Sequence, residues 1–233
     1  MNIFSKDIVK IEYEAPEINF SEVKRYSKIK DNDGKENILD DETKIGCDDK
    51  FLDEMLSEML DEILPFLSYR VCYRYMEEEN AIYFGATLGI EIDRIINKYG
   101  KISPARALIA QGIGAERIES LCDMFENDVV SELKENGLSS NRRISPGYGN
   151  FTLDNQRRIF DILDLPKMIG LTLNESLIMS PSKSVTAVIK IKDSLDGDFE
   201  KLKEDSSLKE CHIAQNKESF CESCEKLDCE YRK

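Results

Sequence analysis

Two stretches of this sequence carry side chains whose types and spacing could do chemistry. The first reads Asn141-Arg142-Arg143-Ile144-Ser145-Pro146-Gly147-Tyr148-Gly149. Pro146 presets a turn dihedral, and Gly147 and Gly149 can take positive φ without steric cost. A loop with so little side-chain bulk lets a ligand approach the backbone, whose N–H and C=O groups can read a polar group such as a nucleoside. Arg143 stands just before the turn, where a guanidinium could clamp a carboxylate through two parallel hydrogen bonds. Pro-Gly is also the usual punctuation of a plain surface turn, and that reading stands beside the functional one. The second stretch is Cys211-x9-Cys221-x2-Cys224-x4-Cys229. A Cys-x2-Cys pair with two more cysteines nearby has the spacing of a metal site, and four thiolates suit zinc or an iron–sulfur cluster. The alternative is a tail of reduced or partly oxidised thiols. His212, the sole histidine, adjoins Cys211, but four cysteines already complete a tetrahedral set.

These residues need a scaffold, and the chain is large enough to supply one. Its 233 residues, 41% hydrophobic, suffice for one domain with a sizeable core and a tail. A net charge of −14 argues against nucleic acid and against an anionic membrane surface, since phosphate attachment needs clustered basic charge. No apolar run is long enough to span a bilayer. The start, Met1 to Tyr13, lacks the apolar core and cleavage site of a secretory signal. A cytoplasmic location is expected, and the odd count of seven cysteines fits reduced thiols or a metal site better than a disulfide framework.

Hydrophobic periodicity outlines the elements. Phe20, Val23 and Tyr26 fall at helical spacing, followed by a polar, acidic connection over 31–49. Phe51, Leu52, Met55, Leu56, Met59, Leu60, Ile63 and Leu64 form one helical stripe, capped by Asp48 or Asp49 and broken by Pro65. Ser68 to Tyr75 alternates as a strand, Glu77 to Asn80 is a polar turn, and Ala81 to Thr87 is the hairpin partner. A helix over Gly89–Tyr99 is stopped by Gly100; the next is capped by Ser103, starts at Pro104 and ends before Gly137. Gly112 and Gly114 lie inside it, each costing about 1 kcal/mol against alanine. They mark a break into two helices, close packing against a neighbour, or approach of a ligand. Glu116, Glu119 and Asp123 follow at helical spacing, so at least one could face a site. Thr152 caps a helix burying Leu153, Ile159, Phe160 and Leu163, ended by Asp164 to Pro166; Met168 to Leu173 then reads as a short strand. Val185, Ala187, Ile189 and Ile191 alternate with Thr186, Val188, Lys190 and Lys192, a strand with one better-buried face. Hairpins with helices around them give an α+β fold, a twisted antiparallel sheet with helices packed on it. The expected organisation is one domain over 1–192, a charged linker over 193–210 and a Cys-rich tail over 211–233.

Arg143-Ile144-Ser145-Pro146-Gly147-Tyr148 resembles the Arg-x-x-Pro-Gly-Tyr motif of the activation domain of cobalamin-dependent methionine synthase. Glu175-Ser176-x-x-Met179-x-Pro181-x-x-Ser184-Val185 is similar to a later motif of that domain, and Arg70-Val71-Cys72-Tyr73-Arg74 and Phe84-Gly85-Ala86-Thr87-Leu88-Gly89 resemble segments of its free-standing bacterial relatives. The likeness runs roughly from Ile18 to Ile191. It implies a chain that binds S-adenosylmethionine, with Arg143 on the methionine carboxylate and Glu119 on the ammonium. Ser145, Gly147 and the turn would hold adenine and ribose, and Tyr148 would lie near the corrin face. The implied reaction is reductive methylation: cob(II)alamin takes one electron, and the cob(I)alamin formed attacks the sulfonium methyl. The cobalt is the nucleophile, so no catalytic residue is expected, and the chain acts as the activation component of a methyltransferase by positioning reactants. With no segment assignable to cobalamin binding, the corrinoid is expected on a partner methionine synthase. The electron would come from a flavodoxin-type donor, and an iron–sulfur cluster on Cys211, Cys221, Cys224 and Cys229 would offer a relay. Two alternatives remain at this point: a non-enzymatic interaction module that binds metal through its four tail cysteines, and an activator of another corrinoid methyltransferase.

Overall fold

The computed structural model describes residues 1–27 and 49–193. The expected acidic connection over 31–49, the charged linker beyond Asp193 and the Cys-rich tail lie outside the described residues, Asp49 and Asp193 apart.

The alternating segments pair as their periodicity predicts. Strand β2 (Arg70–Met76) and strand β3 (Ala81–Thr87) form a hairpin in register from Met76↔Ala81 to Arg70↔Thr87. The turn between them ends on Asn80 at φ 45, a left-handed conformation that asparagine tolerates. Strand β1 (Val9–Glu12) adds outside β2. After this hairpin the chain leaves the sheet for helix α3 (Glu91–Ile102) and helix α4 (Pro104–Glu135), then contributes the short strand β4 (Leu138–Ser140). Helix α5 (Asn155–Leu163), helix α6 (Leu165–Ile169) and a small hairpin of β5 (Thr172–Leu173) and β6 (Met179–Ser180) follow before the long strand β7 (Ser184–Asp193) returns. β7 inserts between β3 and β4, giving the all-antiparallel order β1-β2-β3-β7-β4.

Both faces of this sheet are covered, which is why every residue of β3 is buried. One face presents Val71, Tyr73, Phe84 and Ile189 to α4, to helix α1 (Phe20–Tyr26) and helix α2 (Asp49–Ile63), and to α3. The other presents Cys72, Tyr83 and Val188 to α5 and α6. At Gly85 a Cβ would lie 2.6 Å from Leu165 Cδ2, so a side chain there would have to displace the Leu165 side chain that packs on the sheet. Helices around an antiparallel sheet make the α+β fold expected from the sequence.

Helix α4 runs unbroken for 32 residues, so Gly112 and Gly114 do not divide it. Their reason is close packing. A Cβ at Gly112 would sit 1.9 Å from Ser27 Oγ and 2.8 Å from the Val23 carbonyl, and one at Gly114 would sit 3.0 Å from the Lys183 stem. Ser103 caps the helix by accepting the Arg106 N–H at 3.5 Å, and Gly137 ends it at φ 70.

Four local expectations are corrected. Gly100 lies within α3, which continues to Ile102, because a single helical glycine costs little against the packing of Ile92 and Tyr99. Met168 belongs to α6 rather than to a strand. Asp164 at φ 45 ends α5, Pro166 suits the first turn of a new helix, and Leu165 and Ile169 bury one face at i, i+4. Leu153 is exposed, because it precedes the first turn of α5. The Thr152 hydroxyl accepts from the Asn155 side chain at 3.1 Å, not from a helix N–H.

Candidate functional site

Two elements meet at the Arg-x-x-Pro-Gly-Tyr loop: the sheet edge and the solvent flank of α4. Beyond β4 the chain stays on β7, with Asn141 N–H donating to Lys190 O at 3.0 Å and Ile144 exchanging both backbone bonds with Val188 at 2.9 Å. This extended backbone sends neighbouring side chains to opposite sides. Ile144 turns outward and Arg143 turns in toward α4, while Arg142, mostly exposed, still brings its Nε within 4.0 Å of Glu126 Oε1.

There Arg143 meets carboxylates at i, i+4 and i+7 of one helical face. Its Nη2 donates to Glu119 Oε2 at 2.8 Å, and its Nη1 to Asp123 Oδ1 at 2.6 Å and Glu126 Oε2 at 2.5 Å. The Arg143 backbone N–H also donates to Glu126 Oε1 at 2.9 Å. Burial differs sharply across the group: side-chain exposure is 15% for Arg143 and 8% for Glu126, against 46% for Glu119 and 54% for Asp123. Burial alone would lower the guanidinium's hold on its proton. The adjacent Asp123 and Glu126 carboxylates outweigh this and keep it above the ordinary arginine value. Tyr26, at the end of α1, borders the same place; burial raises its phenol first, and the Glu119 charge adds to that.

The turn itself closes on its own backbone. Gly147 and Gly149 take φ of 99 and 54, the conformations that favour glycine. Gly147 N–H donates to Phe151 O at 2.7 Å, Phe151 N–H to Tyr148 O at 3.0 Å, and Tyr148 N–H to Ser145 O at 3.3 Å. The N–H groups of Gly147 and Tyr148 are thus spent within the loop, so a ligand's polar groups would have to meet other atoms of it. Pro146 is buried beneath the turn, while Tyr148 at its tip is 69% exposed, with its ring in solvent.

The second motif connects through β7. Ser184 opens that strand and donates its hydroxyl to Thr87 at 2.8 Å in the buried end of β3. Ser182 N–H donates to Asp93 at 2.8 Å, and Arg157 donates to the Glu175 carbonyl at 2.8 Å, fixing the segment on α3 and α5. Of the acidic residues at helical spacing on α4, Glu119 and Asp123 reach Arg143. Glu116 does not, being buried and paired with Arg117. Glu126 went unnoticed in the sequence, although its spacing of three from Asp123 and seven from Glu119 was the available signal.

Among the described residues no group of three or more His, Cys, Asp or Glu side chains is placed to hold a metal ion, and no helix is long and apolar enough to cross a membrane. Cys211, Cys221, Cys224 and Cys229 lie outside those residues. Burial pushes the Cys72 thiol up to about 12 and raises that of Cys122 further, as expected of inert core thiols.

No family model matches the sequence. No curated protein matches it. Among solved structures it is similar to the MetH reactivation domain bound to AdoHcy, with a TM-score of 0.57 and 15% identity over 84% of this chain and 81% of that one. At that identity the likeness is one of architecture, and the chain has the fold of the MetH reactivation domain.

Proposed function

We propose that this protein binds S-adenosylmethionine beside the 143–149 turn and supports the reductive methylation of cob(II)alamin carried by a partner protein, a methionine synthase or another corrinoid enzyme. One observation carries the reading. On a scaffold with the fold of the MetH reactivation domain, the arginine of the Arg-x-x-Pro-Gly-Tyr motif stands against exposed carboxylates of α4. A guanidinium beside a carboxylate matches the amino-acid end of the ligand, which carries a carboxylate beside an ammonium. Arg143 would take the former and Glu119 the latter. With the Gly147 and Tyr148 N–H groups held inside the turn, a nucleoside near Ser145 and Gly147 would meet the loop's remaining polar atoms, and the exposed Tyr148 would face the corrin.

S-adenosylmethionine supplies the methyl group, and an external donor of the flavodoxin type supplies the electron. The chain contributes placement: Arg143 and Glu119 orient the donor, the turn sets its depth, and Tyr148 covers one side from water. No general base is required, in keeping with a loop that holds an arginine, a tyrosine and no histidine. The Cys-rich tail would be a further metal site in the same protein, zinc or iron–sulfur. Iron analysis of protein purified without oxygen distinguishes the two.

Calorimetric titration with S-adenosylmethionine tests the proposal. Binding by the intact chain and its loss in Arg143→Ala support it. Absence of binding by the intact chain removes it and leaves the four-cysteine interaction module as the working alternative. Methylation of cob(II)alamin on a candidate partner, with and without this protein, tests the reaction itself.

A further inference from the structure

We propose that Glu126 is the positioning residue for Arg143 and that Asp123 is a built-in competitor for the ligand's carboxylate, so that binding at this site is an exchange of ions. The inference rests on the reading of Arg143 as the ligand's carboxylate partner. The three carboxylates around Arg143 are unequal in burial and in what they hold. Glu126 grips Arg143 at both ends, one oxygen on its backbone N–H at 2.9 Å and the other on Nη1 at 2.5 Å. At 8% exposure it cannot leave without stranding a buried charge. It therefore fixes where the guanidinium points.

Asp123 and Glu119 are different. They occupy Nη1 and Nη2, the two nitrogens that a ligand carboxylate would bridge, and each is about half exposed. An exposed carboxylate that lets go regains its water, so its hold is weak. A carboxylate arriving on the paired nitrogens displaces Asp123 from one and Glu119 from the other. Glu119, released beside the bound ligand, becomes available to the ammonium two bonds from that carboxylate. Asp123 gains no such partner, and its hold on Arg143 is simply lost. It therefore opposes binding, while Glu126 promotes it.

The two roles predict opposite signs for neighbouring acidic residues, which a merely structural cluster does not. The full chain is titrated calorimetrically with S-adenosylmethionine as wild type, Asp123→Asn, Asp123→Glu, Glu126→Gln and Arg143→Ala, with Tm measured for each. Asp123→Asn is expected to bind about two- to fivefold tighter, the equivalent of one exposed ion pair, and Asp123→Glu to return to wild-type affinity. Glu126→Gln is expected to bind at least about tenfold more weakly. If wild type binds, Arg143→Ala does not, and Asp123→Asn is equal to or weaker than wild type, the exchange is wrong while the reading of Arg143 stands. Wild-type affinity in a folded Glu126→Gln removes the positioning role. Absence of binding by wild type overturns the exchange and the functional reading together.

Discussion

Arg117 belongs to α4 and Arg143 packs against it, and the protein treats the two in opposite ways. Arg117 is fully buried, at 0% exposure, and meets one carboxylate: Nε and Nη2 donate to Glu116 at 2.5 and 2.6 Å. Two more of its N–H groups donate to neutral carbonyls, Nη1 to Pro16 at 2.5 Å and Nη2 to Glu17 at 2.7 Å. Glu116 is completed by the Asn19 N–H at 3.2 Å and the Ser120 hydroxyl at 2.8 Å. The two charges there are matched one for one and closed off from solvent. Arg143 is partly open and faces three carboxylates, two of them half exposed. A matched buried pair fixes structure, here the segment from Pro16 to Asn19 along α4. A surplus of exchangeable partners at the surface leaves room for recognition. Net charge balance and burial, rather than the presence of an ion pair, separate the two.

The comparison can be broken by substitution. Arg117→Ala should have the largest effect, about 3–5 kcal/mol of stability, because it strands Glu116 in the core. A thermal melt should show a fall in Tm of roughly 6–20 °C for a domain of this size. S-adenosylmethionine affinity measured below that melt should be nearly unchanged. Arg143→Ala should cost about 2–3 kcal/mol of ligand binding by calorimetry, as befits loss of a charge-assisted pair, with a smaller fall in Tm than Arg117→Ala because Arg142, its Nε 4.0 Å from Glu126, remains beside the carboxylate left behind. Equal stability losses in the two variants would erase the distinction. Gly112→Ala sharpens the structural side: its Cβ would collide with the Val23 carbonyl at 2.8 Å as well as with Ser27 Oγ, and denaturant melts should show about 1–3 kcal/mol lost as α1 lifts from α4. Tyr148→Ala sharpens the functional side. With its ring in solvent it should change stability by no more than about 0.5 kcal/mol, while slowing methylation of cob(II)alamin on a partner; an unchanged rate would detach Tyr148 from the reaction.

The parts of this fold that were legible in the sequence are those specified within a few residues. The β2–β3 hairpin followed from alternation on either side of a polar turn; Ala81–Thr87 has the expected bounds, and its partner runs over Arg70–Met76 where Ser68–Tyr75 was expected. Ser103, Pro104 and Gly137 bounded α4 through capping chemistry that needs no distant partner. Errors arose where local signals conflicted with packing. Gly100 looked like a stop but lies on an open side of a helix held by Ile92 and Tyr99. Asp164 and Pro166 marked one helix end, and the sequence did not reveal that Leu165 and Ile169 would bury a further turn against the sheet.

At the candidate site the division is the same. Sequence alone determined the turn, its glycines at positive φ, the arginine before it and the acidic stripe on α4, because dihedral preference and helical spacing are properties of short segments. Only tertiary structure decided that β7 returns beside β3, that Ile144 pairs with Val188 and so turns Arg143 inward, and that Glu126 closes on it from 17 residues away. It also gave Glu116 to the core and Glu119 to the surface, although they are one helical turn apart. Those outcomes depend on which buried faces pack together across the chain, and burial sets whether a charge is locked into a matched pair or left free to exchange.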